Sequence, residues 1–114
     1  MEQEIKEYFE KFQKDMVRMK EQVPDAINGF SVLFSKVMKD GALALLEKEL
    51  VALGIAVAIR CTPCIRLHTK KCLDAGATKE QILEAASVAV MMGGGPAYTH
   101  IPIVMDTLAA LGAG

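Results

Sequence analysis

Within the first 21 residues, Ile5, Tyr8, Phe9, Phe12, Met16 and Met19 recur mostly at gaps of three and four, with Lys, Glu and Gln filling the positions between. That period predicts an amphipathic helix over residues 2–21 with one apolar face. Pro24 suits the first turn of a second helix, where a missing N–H costs nothing. Ile27, Phe30, Leu33, Phe34, Val37 and Met38 continue that helix until Gly41 ends or breaks it. A third helix is predicted from about Ala42 to Arg60. Apart from Glu47, Lys48 and Glu49, nearly every residue in it before Arg60 is apolar or glycine. Such a helix needs burial on all sides, and part of that burial is expected from another subunit.

Thr62-Pro63 reads as the start of a fourth helix, with Thr as cap and Pro at the first helical position, running to about Ala75 and stopping at Gly76. Thr78 and Gln81 have the spacing of a capping box for a fifth. The run Gly93-Gly94-Gly95-Pro96 predicts a break, and a last helix, kinked or delayed by Pro102, covers roughly Ala97 to Leu111. No useful stretch alternates with period two, so no sheet is expected. The fold class is therefore all-α, a compact bundle of about six helices. We read residues 1–114 as a single domain, with residues 1–22 as an added N-terminal helix.

Composition narrows the function classes. Hydrophobic residues make up 52% of the 114 and charged ones 24%, which is globular and not disordered. With 13 basic and 14 acidic residues the formal charge is −1, and the basic residues are scattered. No nucleic acid and no anionic membrane is selected by bulk charge. The opening MEQEIKEYFE has no apolar signal core, and the apolar run Leu50–Ile59 is only ten residues long, too short for a bilayer span of about 18 or more. The expected location is the cytoplasm.

Three cysteines are an odd number, and two of them, Cys61 and Cys64, form a Cys-x-x-Cys. In a reducing compartment that spacing favours a reactive pair over a structural staple. The thiolate is the nucleophile, so a useful site activates one sulfur and keeps a second nearby to resolve the product. Cys64 falls in the predicted first turn of the fourth helix, where free N–H groups favour negative charge. Cys61 falls just outside, on the incoming chain. His68, four residues after Cys64, shares its helical face and can take its proton. Cys64 is thus expected to attack and Cys61 to resolve. Glu49 has Leu45, Leu46, Ala52 and Leu53 as helical neighbours, where a carboxylate is costly without a partner. It is the best candidate to orient His68.

The remaining candidates are weaker. Cys72 reads as buried filler, and His100 as a residue outside the site. Arg60, Arg66, Glu47 and Lys48 read as solvated charges. The triple glycine lacks the Lys-Ser or Lys-Thr of a phosphate loop, and no cofactor is expected. A zinc module built on Cys61, Cys64 and His68 remains the alternative, with Glu49 or His100 as fourth ligand.

Glu49 followed by Cys61, Cys64 and His68 resembles the Glu…Cys-x-x-Cys-x-x-x-His pattern of the AhpD-like proteins, within the carboxymuconolactone decarboxylase superfamily. The resemblance spans roughly Phe30 to Leu111. It implies an antioxidant, alkylhydroperoxidase-like thiol oxidoreductase that assembles as a homo-oligomer, a trimer or hexamer. It also implies a peroxide or disulfide substrate, a peroxiredoxin partner and electrons received from a lipoyl-protein. In that pattern the residue matching Cys64 attacks, the one matching Cys61 resolves, and those matching His68 and Glu49 form a proton relay. Pro63 stands where the namesake has a second histidine. The decarboxylase branch of the superfamily does not rely on a cysteine pair, which leaves a lyase as the distant alternative.

Overall fold

A computed structural model describes all 114 residues. It contains α1 (Glu2–Gln22), α2 (Pro24–Val37), α3 (Leu45–Ala58), α4 (Thr62–Asp74), α5 (Lys79–Gly93), α6 (Gly95–Tyr98) and α7 (Ile101–Ala110), and no strand. The all-helical expectation holds. The last predicted helix is two pieces, because the chain turns at Thr99 and His100 and α7 restarts with Pro102 in its first turn. Proline has no N–H to continue a helix but fits a helix start, so Pro102 begins α7 and does not kink it.

α3 is the axis of the fold and lies against both α4 and α5; α7 packs on α4 and α1. Leu53 and Val57 from α3, Ile65 from α4, Ile82 from α5, and Val104 and Leu108 from α7 are fully buried. Each such side chain contributes roughly 1.5–3 kcal/mol of hydrophobic stabilisation. The capping box of α5 is present in both directions: Thr78 Oγ1 accepts the Gln81 N–H, and Gln81 Oε1 accepts the Thr78 N–H. At the glycine break, a Cβ on Gly93 would stand 3.0 Å from the Ala97 Cβ, so this run supplies close packing as well as a turn.

The α2–α3 connection is closed by side chains. Asp40 Oδ1 accepts the Leu45 N–H at 2.7 Å, while Lys48 Nζ donates to the Val37 and Lys39 carbonyls at 2.8 and 2.6 Å. Lys48 is therefore not a free solvated charge; it satisfies carbonyls at and just beyond the C-terminus of α2, where a cation is favoured. α3 consequently begins at Leu45, later than the apolar run alone suggests.

α1 and α2 contribute little to this core. Ile5 is the only buried residue of α1, and α2 has none. Their apolar faces turn instead toward α4, across a groove. Val51, Ile55 and Ile59 form a second exposed stripe, on the outer side of α3. No helix is long and apolar enough to cross a membrane.

Candidate functional site

The dithiol is delivered by the end of α3. Arg60 adopts the left-handed φ of 59°. Its N–H donates to Val57 O, and the Cys61 N–H donates to Ala56 O, at 3.1 and 3.0 Å. This is the paired bonding of a Schellman turn, with arginine in the position glycine usually takes. The chain leaves the turn extended at Cys61 (φ −95°, ψ 96°), the geometry a helix cap needs.

The cap is therefore Cys61 and not Thr62. The Cys61 carbonyl accepts the Ile65 N–H at 2.9 Å, and its Sγ accepts the Cys64 N–H at 3.3 Å. The helix starts one residue earlier than the Thr-Pro signal suggests, because the preceding turn presents an extended residue whose sulfur can accept. Cys64 still lies in the first turn. Cys61 and Cys64 are joined as a disulfide with a Cα–Cα distance of 5.2 Å, inside the usual span of about 4.4–6.8 Å.

Glu49 shares the inward face of α3 with Leu53, Ala56 and Val57 and is only 3% exposed. A carboxylate in that setting needs a partner. His68 supplies it: Nδ1–H donates to Glu49 Oε1 at 2.7 Å. Because a carboxylate only accepts, the bond selects the tautomer that leaves the Nε2 lone pair free. One helical turn away on the same helix is Cys64, and both side chains line a groove of 780 Å³ between α4 and the α1–α2 pair. Cys61 is not among the groove's lining residues. On its other side Glu49 fronts a smaller cavity of 310 Å³ bounded by Met38, Leu45 and Ala75. The buried pair thus stands between two spaces.

Two other candidates lie outside this arrangement. His100 is spent on the α6–α7 turn, where Nδ1–H donates to Pro96 O at 2.7 Å. Cys72 is fully buried in the core beside α3. Burial, and secondarily the charge of Glu49, pushes its thiol up to about 12 from an ordinary 9.0. In the reduced protein, iodoacetamide at mildly alkaline pH is expected to label Cys61 and Cys64 rapidly, and Cys72 only after denaturation. Because the folded state holds the Cys72 proton between pH 9 and about 12 while the unfolded chain releases it, stability should fall as pH rises through that window. Cys72→Ala should flatten that fall in a series of urea titrations. Rapid native labelling of Cys72 would contradict its burial.

The groove itself was not visible in the sequence. The aromatic and Met positions of α1 and α2 read as ordinary apolar faces, and the only available signal was that Phe30, Leu33, Phe34 and Val37 exceed what a short chain can bury. Nor was Arg66 seen to lean away: its guanidinium carbon lies 5.0 Å from the Tyr8 ring centroid. No group of three or more His, Cys, Asp or Glu side chains is gathered to hold a metal ion, so the zinc alternative has no support in this geometry.

Residues 24–106 match the sequence model of the carboxymuconolactone decarboxylase family. The chain belongs to that family. Among similar proteins, an uncharacterized protein of Cupriavidus necator is 33% identical over 90 residues, covering 79% of this chain and 80% of its own. The crystal structure of an apo carboxymuconolactone decarboxylase family protein from Legionella pneumophila is similar at a TM-score of 0.87 and 31% identity, over 93% of this chain and 95% of that one. A family member from Thermotoga maritima, for which involvement in an antioxidative response has been suggested, is similar at a TM-score of 0.82 and 29% identity, over 91% and 89% of the two chains. Family and fold bear out the AhpD-like resemblance carried by Glu49, Cys61, Cys64 and His68. Together with the cysteine pair, they support redox-related enzyme activity in general.

Proposed function

We propose that this carboxymuconolactone decarboxylase family protein is a thiol–disulfide oxidoreductase of the alkylhydroperoxidase type. The observation that carries the reading is a Cys61–Cys64 disulfide whose Cys64 end lines an open groove, together with a histidine held by a buried carboxylate. The antioxidative role suggested for the Thermotoga relative agrees with it.

In the reduced protein Cys64 gives its proton to His68 Nε2, while Glu49 stabilises the imidazolium so formed. The Cys64 thiolate attacks the outer oxygen of a hydroperoxide. An S–O bond forms, the O–O bond breaks, and the departing alkoxide takes the proton from His68 as an alcohol. Cys61 then attacks the sulfur of the Cys64 sulfenic acid, and hydroxide leaves as water with the Cys61 proton. Two thiols and ROOH thus become a disulfide, ROH and water.

An external dithiol restores the pair by attacking Cys64, which lines the groove. Cys61 leaves with its sulfur facing the Cys64 N–H, a contact that favours the departing thiolate. The second thiol of the external dithiol then attacks its own bound sulfur, releasing Cys64 and closing the external disulfide. A lipoyl group is one such dithiol, and a cytoplasmic setting would keep it reduced. A peroxiredoxin disulfide can replace the peroxide: Cys64 forms the mixed disulfide and Cys61 releases the reduced partner.

One equivalent of peroxide should convert both thiols of the reduced protein to the intramolecular disulfide, read by mass spectrometry of trapped, digested protein. Recovery of both thiols unmodified would sink the proposal, and decarboxylation of a lactone acid in their place would favour the lyase reading. The exposed Val51, Ile55 and Ile59 stripe supports assembly of several copies, a trimer or hexamer. A monomer in sedimentation at micromolar concentration would rule that assembly out.

A further inference from the structure

The groove at Cys64 is far larger and more apolar than a small peroxide needs. We infer that the oxidising substrate is an amphipathic organic hydroperoxide, with an aliphatic chain laid between α1 and α2 and an anionic headgroup held at Lys71. This inference rests on the dithiol reading above and adds the substrate class.

Size and surface come first. At 780 Å³ the groove falls within the range of about 300–1,000 Å³ that suits a medium-sized organic ligand. Phe9, Phe12 and Met16 form one wall, Ile27 and Phe30 the other, and Leu67 lies on α4 beside the reactive sulfur. These faces are not consumed by the core; Phe30 is 64% exposed. Hydrogen peroxide has no apolar surface to bury here, whereas an alkyl chain gains roughly fourfold in affinity for each methylene it buries.

Charge then gives the chain a direction. The groove's charged side chains besides His68 are Glu10, Lys70, Lys71 and Asp74. Lys70 is neutralised by Asp74 at 2.7 Å. Lys71 makes no direct ion pair, although Glu49 and Asp74 border the smaller cavity with it. Its ammonium sits 3.8 Å from the Phe34 ring centroid, which fixes it while leaving its N–H donors open to an anion. Glu10, on the opposing helix α1, is the remaining charge. Lys71 is seven residues beyond Cys64 on α4, so it returns to the same face about 10 Å along the axis. A headgroup there sets a mid-chain O–O bond at Cys64, with His68 between head and sulfur. The chemistry at that bond is the balanced step given above: the hydroperoxide is reduced to its alcohol and the dithiol is oxidised.

The test uses the full-length reduced protein in two arms. In the binding arm, dansyl-undecanoic acid reports occupancy, and palmitate and methyl palmitate compete for it. Palmitate is expected to bind about tenfold more tightly than its ester, the equivalent of one charge-assisted contact. Lys71→Gln should erase that difference and Lys71→Arg should keep it. Phe30→Ser, at an exposed position the core does not use, should weaken acid and ester alike. In the turnover arm, linoleic acid hydroperoxide should show a lower KM than its methyl ester, and Lys71→Gln should remove that gap. Both should exceed hydrogen peroxide in kcat/KM by about a hundredfold or more, since several methylenes are buried.

Absence of probe binding, or acid and ester binding equally in the wild type, overturns the inference; a second copy of the chain filling the groove would give the first of these results. Equal kcat/KM for every peroxide overturns the substrate class and leaves the dithiol reading standing. Lys71-dependent binding without turnover of any hydroperoxide overturns the peroxidase reading, and the hydroperoxide assignment with it.

Discussion

Cys64→Ser is expected to abolish peroxide consumption, by a factor on the order of 10³ or more, while Cys61→Ser still consumes one equivalent per chain and then stops. The asymmetry follows from where the two sulfurs sit. Cys64 lines the groove with His68, and Cys61 caps α4 with its sulfur turned to the Cys64 N–H. Loss of the attacking sulfur removes the first step. Loss of the resolving sulfur leaves the first step intact and strands a sulfenic acid on Cys64, which dimedone traps. The measurement is peroxide consumed per chain in single-cysteine variants of the reduced protein, with the adduct located by mass spectrometry. Stoichiometric oxidation of Cys61 in the Cys64→Ser variant, with none of Cys64 in its counterpart, would reverse the assignment.

His68→Ala carries the second large effect, and it is double. Removing the base should lower turnover near neutral pH by about 10²–10⁴-fold. The same change leaves Glu49 buried with no partner, since His68 is the only group hydrogen-bonded to its side chain. Leaving a buried carboxylate without its hydrogen-bond donor costs about 3 kcal/mol, the upper end of the range for an unsatisfied buried polar group because this one is charged.

Two measurements separate the effects. Alkylation of Cys64 in a Cys61→Ser background should slow most at neutral pH and little at high pH, where the thiol ionises unaided. Glu49→Gln should move the same profile less, because it acts through the histidine. Glu49→Leu combined with His68→Leu should recover much of the stability in urea titrations without recovering turnover, since a buried pair can be replaced by apolar groups but a base cannot. A Cys64 profile unchanged by loss of His68 would remove the histidine from the mechanism.

Local chemistry was legible in the chain. Residues at gaps of three and four, Pro24 at a helix start, Gly76 at a helix end and the reciprocal Thr78–Gln81 cap all act within one or two turns, and each appears where its spacing places it. The site was partly legible for the same reason. Cys61, Cys64 and His68 lie within eight residues on one helix start. Glu49 announced itself as a carboxylate among apolar neighbours, and its partner proves to be His68, nineteen residues on.

What tertiary structure decided is everything that depends on where a face or an end points. A helical period shows that α1 and α2 have apolar faces but not whether they meet a core or a groove; packing of α1 on α7 leaves them over α4, beside Cys64. Lys48 looked solvated until the end of α2 arrived within its reach. Cys61, not Thr62, caps α4 because the left-handed turn at Arg60 sets its backbone, and that turn is made by the end of the preceding helix. Spacing determines which side chains can share a surface; only the packed chain determines what that surface meets.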